Sequence, residues 1–73
     1  MELSKLDKAG LISALKSNGY GYCERDFYDV KFSSFAANGA AVYEVWYLDQ
    51  ETDALDFGFV YVEEKDGVPV AEF

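Results

Sequence analysis

Histidine is absent from the 73 residues, and cysteine, proline, methionine and tryptophan occur once each. Basic residues are also scarce, with six Lys and Arg against fourteen Asp and Glu. Each shortage excludes something. Without His, the commonest general base and transition-metal ligand is missing. The lone Cys23 has no partner for an intramolecular disulfide, so packing alone must hold the fold, and a reducing compartment suits it. As a nucleophile Cys23 would lack a histidine base, and it reads as a small apolar side chain carrying a thiol. No apolar run approaches the ~20 residues that cross a bilayer, and the opening MELSKLDKAG has no apolar signal-peptide core. A cytoplasmic protein is expected.

Aromatic residues are plentiful instead: six Phe, six Tyr and the Trp make up 18% of the chain. Each such ring buries roughly 150–250 Å², which lets a chain near the lower size limit for unaided folding build a core. A single domain spanning residues 1–73 is expected. The formal net charge is −8, and its distribution is uneven. Residues 1–43 hold five acids and five bases, whereas residues 44–73 hold nine acids and Lys65 alone. The surplus therefore lies entirely in the last 30 residues. Such a field repels nucleic acid and anionic membranes and attracts basic surfaces.

The pattern predicts one helix followed by strands. Asp7 is a suitable N-cap, with Leu6 placed to pack on Leu11. Leu11, Ile12 and Leu15 recur on one face with Ala14 beside them, and Ser17-Asn18-Gly19 supplies a stop, predicting a helix over 8–17. From Tyr28 the period changes to two: Tyr28, Val30 and Phe32 alternate with Asp29 and Lys31. Asn38-Gly39 is a strong hairpin signal. A two-residue turn there sets Phe32 against Val45 and Val30 against Tyr47, and puts Tyr28, Val30, Phe32, Tyr43, Val45 and Tyr47 on the helix side. A third strand starts near Leu55, a tight turn falls at Asp66-Gly67, and a fourth strand covers 68–73. Pro69 confines that last strand to an edge. The fold class is α+β, one N-terminal helix packed on a four-stranded antiparallel β-sheet. The register of the third strand stays open. Leu55, Phe57, Phe59 and Tyr61 either fill the core under the helix or join Val42, Trp46 and Leu48 on a helix-free face, where such a patch marks a partner or a dimer.

Chemistry-bearing constellations are few. Carboxylate pairs such as Glu24 and Asp26 would act as acid and base only if burial raised one pKa. The stretch Asp49-Gln50-Glu51-Thr52-Asp53 has oxygens at alternate positions, but it lacks the Gly at position six and the Glu at position twelve of a calcium loop. No enzyme activity, no metal and no cofactor are expected.

The acidic half itself remains. In an extended segment Asp49, Glu51 and Asp53 would lie about 6.6 Å apart along one side, a spacing comparable to phosphates along a nucleic-acid strand, roughly twice the 3.4 Å axial rise. Glu44, Asp56, Glu63, Glu64 and Asp66 would widen the row, and Trp46 would add an aromatic contact. These nine residues form the candidate partner-binding set. In size, acidity and aromatic-rich α+β pattern the chain resembles the small acidic DNA-mimic inhibitors of phages and mobile elements, the anti-CRISPR proteins among them, and the acidic immunity proteins that block nuclease toxins. That resemblance is compositional and carries no family motif. It implies a stoichiometric inhibitor seated in the basic groove of a nuclease or CRISPR effector, in the host cytoplasm if phage-encoded, with no nucleic acid or membrane bound directly. A small assembly module, self-associating or binding through an aromatic sheet face, is the rival expectation, with a homodimer as one form of it. Acidity that serves solubility alone is a further possibility.

Overall fold

Asp7 starts the helix α1 (Lys8–Lys16) by turning its carboxylate back on the chain: Oδ1 accepts from the Gly10 amide at 2.8 Å in the computed structural model, which describes residues 2–73. The first-turn amides have no partner within a helix, so a side-chain acceptor here settles where the helix begins. At the other end the Tyr20 amide donates to the Leu15 carbonyl and the Gly19 amide to the Lys16 carbonyl, with Gly19 at φ +88°. This closure needs a left-handed residue, and glycine adopts it without steric cost. Leu11, Ile12, Ala14 and Leu15 form the buried stripe, as their spacing predicts.

Four strands follow, β1 (Phe27–Phe35), β2 (Ala41–Leu48), β3 (Leu55–Lys65) and β4 (Val68–Glu72), all antiparallel and paired in chain order. The helix covers one face of this open sheet and lies nearest β4. The expected α+β architecture is therefore present, with β1 and β4 at the edges. Lys65 pairs with Val68 across a two-residue turn in which Asp66 (φ 53°) and Gly67 (φ 78°) are both left-handed. That geometry matches the twist of the flanking strands. Pro69 sits on the edge strand, where its missing N–H breaks no interior ladder.

The first hairpin turns at Asn38-Gly39, but its register differs from the simple expectation. The loop has three residues rather than two: the Gly39 amide donates to Ala36 O, the Ala36 amide to Ala40 O, and Gly39 takes φ +89°. Asn38 Oδ1 accepts from the Ala40 amide at 3.1 Å. A one-residue change in loop length would turn every β1 side chain to the wrong face. An extra residue between Phe32 and Ser34 compensates, so Phe32 pairs with Tyr43 and Val30 with Val45. The register is displaced by two from the expected pairs, and the inward row is kept. A second irregularity between Phe27 and Asp29 has the opposite effect on Tyr28. Tyr28, expected on the helix side, is 60% exposed, and Phe27 takes the inner place at 1%.

The core lies between α1 and the inner row of the sheet. Tyr43, Val45, Val60, Val62, Ala41, Ala71 and Phe27 meet the helical stripe there. One end of this layer is closed by aromatic rings: Tyr22, Tyr47 and Phe73 pack on one another, with Tyr47 and Phe73 centroids 4.8 Å apart. Gly58 belongs to the inner row of β3, and the Tyr47 ring occupies the space a side chain there would need.

Candidate protein-binding face

The register of β3 decides what the second face of the sheet carries. Leu55 pairs with Leu48, Phe57 with Trp46, Phe59 with Glu44 and Tyr61 with Val42. Directly opposed residues share a face, so all eight lie on the side away from α1. The helix side receives Asp56, Gly58, Val60 and Val62 instead. Of the two registers left open by the sequence, the chain adopts the one that sets the larger side chains outward.

An antiparallel sheet often keeps one face in water, and that face is ordinarily polar. Here it is aromatic. Trp46, Leu55, Phe57, Phe59 and Tyr61 are 39–56% exposed, with Val42 and Leu48 half-buried beside them. Trp46 and Phe57 have centroids 5.0 Å apart, and Phe57 and Phe59 5.3 Å apart in an edge-to-face arrangement. These three rings thus form one connected stripe across the two central strands, and Tyr61 follows Phe59 on the same side of β3. Excluding water from one of them is worth about 1.5–2.5 kcal/mol, given its remaining exposed area.

The acids expected to form a row and to widen it on neighbouring strands are dispersed. Glu44 and Glu63 stand on the aromatic face. Asp56 and Glu64 pair with Tyr47 and Pro69 and lie on the helix side. Asp66 is in the β3–β4 turn. Asp49, Glu51 and Asp53 belong to the β2–β3 loop, at the opposite end of β3 from that turn. That loop is not extended. The Asp53 amide donates to Asp49 O, the Asp49 amide donates to Ala54 O, and Asp53 takes φ 58°. Asp49 Oδ1 also accepts from the Glu51 and Thr52 amides at 2.8 and 3.2 Å. The alternate-residue line of carboxylates is therefore not formed, because the Asp49 side chain folds the segment into a turn. An Asp at the end of an apolar strand, followed by polar residues, was the sequence signal for it.

Two of these acids act on the tyrosine cluster rather than on the outer face. Burial raises the Tyr47 phenol above its ordinary value, and the negative charges of Asp56 and Asp49 add to that shift. Tyr22 is raised in the same direction, first by burial and then by Tyr47 and Asp49. In both cases the surroundings disfavour a second negative charge.

Among the described residues no group of three or more His, Cys, Asp or Glu is placed to hold a metal ion, and no helix is long and apolar enough to cross a membrane. Cys23 is exposed and free. Of the nine residues expected to meet a partner, the structure brings Glu44, Trp46 and Glu63 onto one face. Phe57, Phe59, Tyr61 and Leu55 complete it, and charge counting alone could not select them. No protein-family model matches the chain, nor does any curated protein or solved structure.

Proposed function

We propose that the chain is a non-enzymatic binding protein whose helix-free sheet face docks on a basic protein surface, acting as an inhibitor of the occupied partner. The observation that carries this reading is the connected stripe of Trp46, Phe57 and Phe59, continued along β3 by Tyr61 and left exposed on the sheet face away from α1. Exposed apolar patches of this kind mark interaction sites, and aromatic residues are the side chains most enriched in interface cores. The −8 charge selects the partner's sign. Acids at both ends of β3 would steer a Lys/Arg-rich surface toward the stripe and speed its encounter. Basic surfaces of that type line nucleic-acid-processing proteins, so a nuclease or CRISPR effector is the target class favoured. The dispersed acids favour a rim around an aromatic centre over a row imitating successive phosphates.

The test is affinity isolation from the source cell with the parent chain and Phe59→Ser as baits, at low and at high salt. A basic protein retained by the parent, lost with Phe59→Ser and weakened by salt is the expected result. A partner held equally by both baits would place the site elsewhere. Self-association of the parent that Phe59→Ser abolishes, with no other protein retained, would replace the reading with a homodimer.

A further inference from the structure

Glu44 is the one carboxylate set inside the aromatic stripe. Its strand neighbours on the same face are Val42 and Trp46, and Phe59 lies directly across from it on β3. Lys31 faces it from the other side, on the exposed edge strand β1. Resting on the reading of this face as a docking surface, we infer that Glu44 selects the partner by receiving an arginine side chain, whose guanidinium lies between the Glu44 carboxylate and the Trp46 and Phe59 rings.

The physical reason is desolvation. Any surface that covers Trp46 and Phe59 also takes water from Glu44, and a carboxylate buried without a counter-charge is strongly unfavourable. A wholly apolar partner is therefore rejected, although the rings alone would welcome it. A second copy of the chain is a poor occupant for the same reason: it brings another Glu44 and another −8 to the contact. An arginine suits both demands. Its planar group donates two parallel hydrogen bonds to a carboxylate and stacks on aromatic faces, and it is more weakly hydrated than an ammonium. Lys31 opposite Glu44 is exposed at the rim, where its ammonium stays hydrated and offers no planar pair of donors to the carboxylate. Glu44 thus acts as a filter, making the aromatic stripe available to basic surfaces and closed to plain apolar ones.

The probe is the blocked tripeptide acetyl-Leu-Arg-Leu-amide, titrated into the isotope-labelled 73-residue chain and followed by backbone amide shifts. Its counterpart replaces Arg with citrulline, which keeps the shape and removes the charge. The Arg peptide should shift amides of residues 44–46 and 57–59 saturably, and the citrulline peptide should bind about tenfold more weakly, equivalent to about 1.4 kcal/mol. Glu44→Gln should retain the folded spectrum and erase that difference. If both peptides bind the face alike, or if Glu44→Gln keeps the preference, the role of Glu44 is overturned while the docking face stands. If the Arg peptide shifts nothing on this face at tens of millimolar, the arginine inference fails. The docking face is then judged separately by the Phe59→Ser isolation.

Discussion

The hydroxyl of Tyr43, on the central strand β2, accepts a hydrogen bond from the Leu6 amide at 2.9 Å, 37 residues away in sequence. The same hydroxyl donates to the Leu3 carbonyl, so one phenol fastens the segment ahead of α1 to the sheet. Tyr43→Phe leaves both backbone groups without this partner in a partly buried place, and should lower stability by about 1–2 kcal/mol. Urea unfolding checks this, with a lower midpoint and an unchanged slope. An unchanged midpoint would show that the fastening carries no net stability.

The same group makes stability depend on alkaline pH. Burial raises the Tyr43 phenol above 10.0, partly offset by the hydrogen bond from Leu6. Tyr22 and Tyr47 are raised as well. The folded chain therefore holds these protons more tightly than the unfolded chain. Their contribution is complete below the ordinary phenol value and is lost as pH rises through it toward the folded-state values. Urea midpoints should fall above about pH 10, and less steeply in Tyr43→Phe. A midpoint that rises in that range would contradict the assignment.

Gly58 is required by packing. A Cβ built there lies 3.1 Å from Tyr47 Cε1 and 3.6 Å from Phe73 Cε1. Gly58→Ala should cost about 1–3 kcal/mol through overpacking. Combined with Tyr47→Ala, which empties the space, the added cost of the alanine should shrink, since contacting sites are not additive. Equal costs in both backgrounds would remove Tyr47 as the cause.

These residues also show what could be read from the chain beforehand. Asp7, the 3.6-residue stripe, Asn38-Gly39 and Asp66-Gly67 are local signals, and each marks its helix cap or turn correctly. Register is not local. The three-residue loop and the extra residue at Ser33 each reverse the faces of β1, and only their sum leaves Val30 and Phe32 inward. Tyr28 is misplaced because a single bulge follows Phe27. For β3 the alternation was plain, but which row faces α1 depends on the β2–β3 loop and on a glycine yielding to Tyr47. The site shared that fate. Charge could be counted in the sequence, whereas the stripe across β2 and β3 exists only once the strands are paired.

The β2–β3 loop separates structural from functional acid. Asp49→Ala removes the acceptor for two loop amides and should cost about 1 kcal/mol, while Asp49→Asn keeps most of it. Glu51→Gln should change stability by less than about 0.5 kcal/mol. Neutralising Asp49, Glu51, Asp53 and Asp56 together takes the charge from −8 to −4. Against an isolated basic partner, this variant should mainly slow association, and Phe59→Ser should mainly speed dissociation. Surface plasmon resonance separates the two rates. If the four-site variant loses more affinity than Phe59→Ser, the loop, not the stripe, is the contact.

Trp46 is the only tryptophan in the chain and lies in the stripe, 44% exposed. Its fluorescence therefore reports on the proposed docking face alone. In a chain shown to be monomeric by sedimentation, acrylamide should quench this emission readily. Quenching should fall when the basic partner binds, and it should not fall when Glu44→Lys is mixed with the same partner. A Trp46 protected from acrylamide in the free monomer, or quenched equally in the free and bound chain, would contradict the assignment of this face as the binding surface.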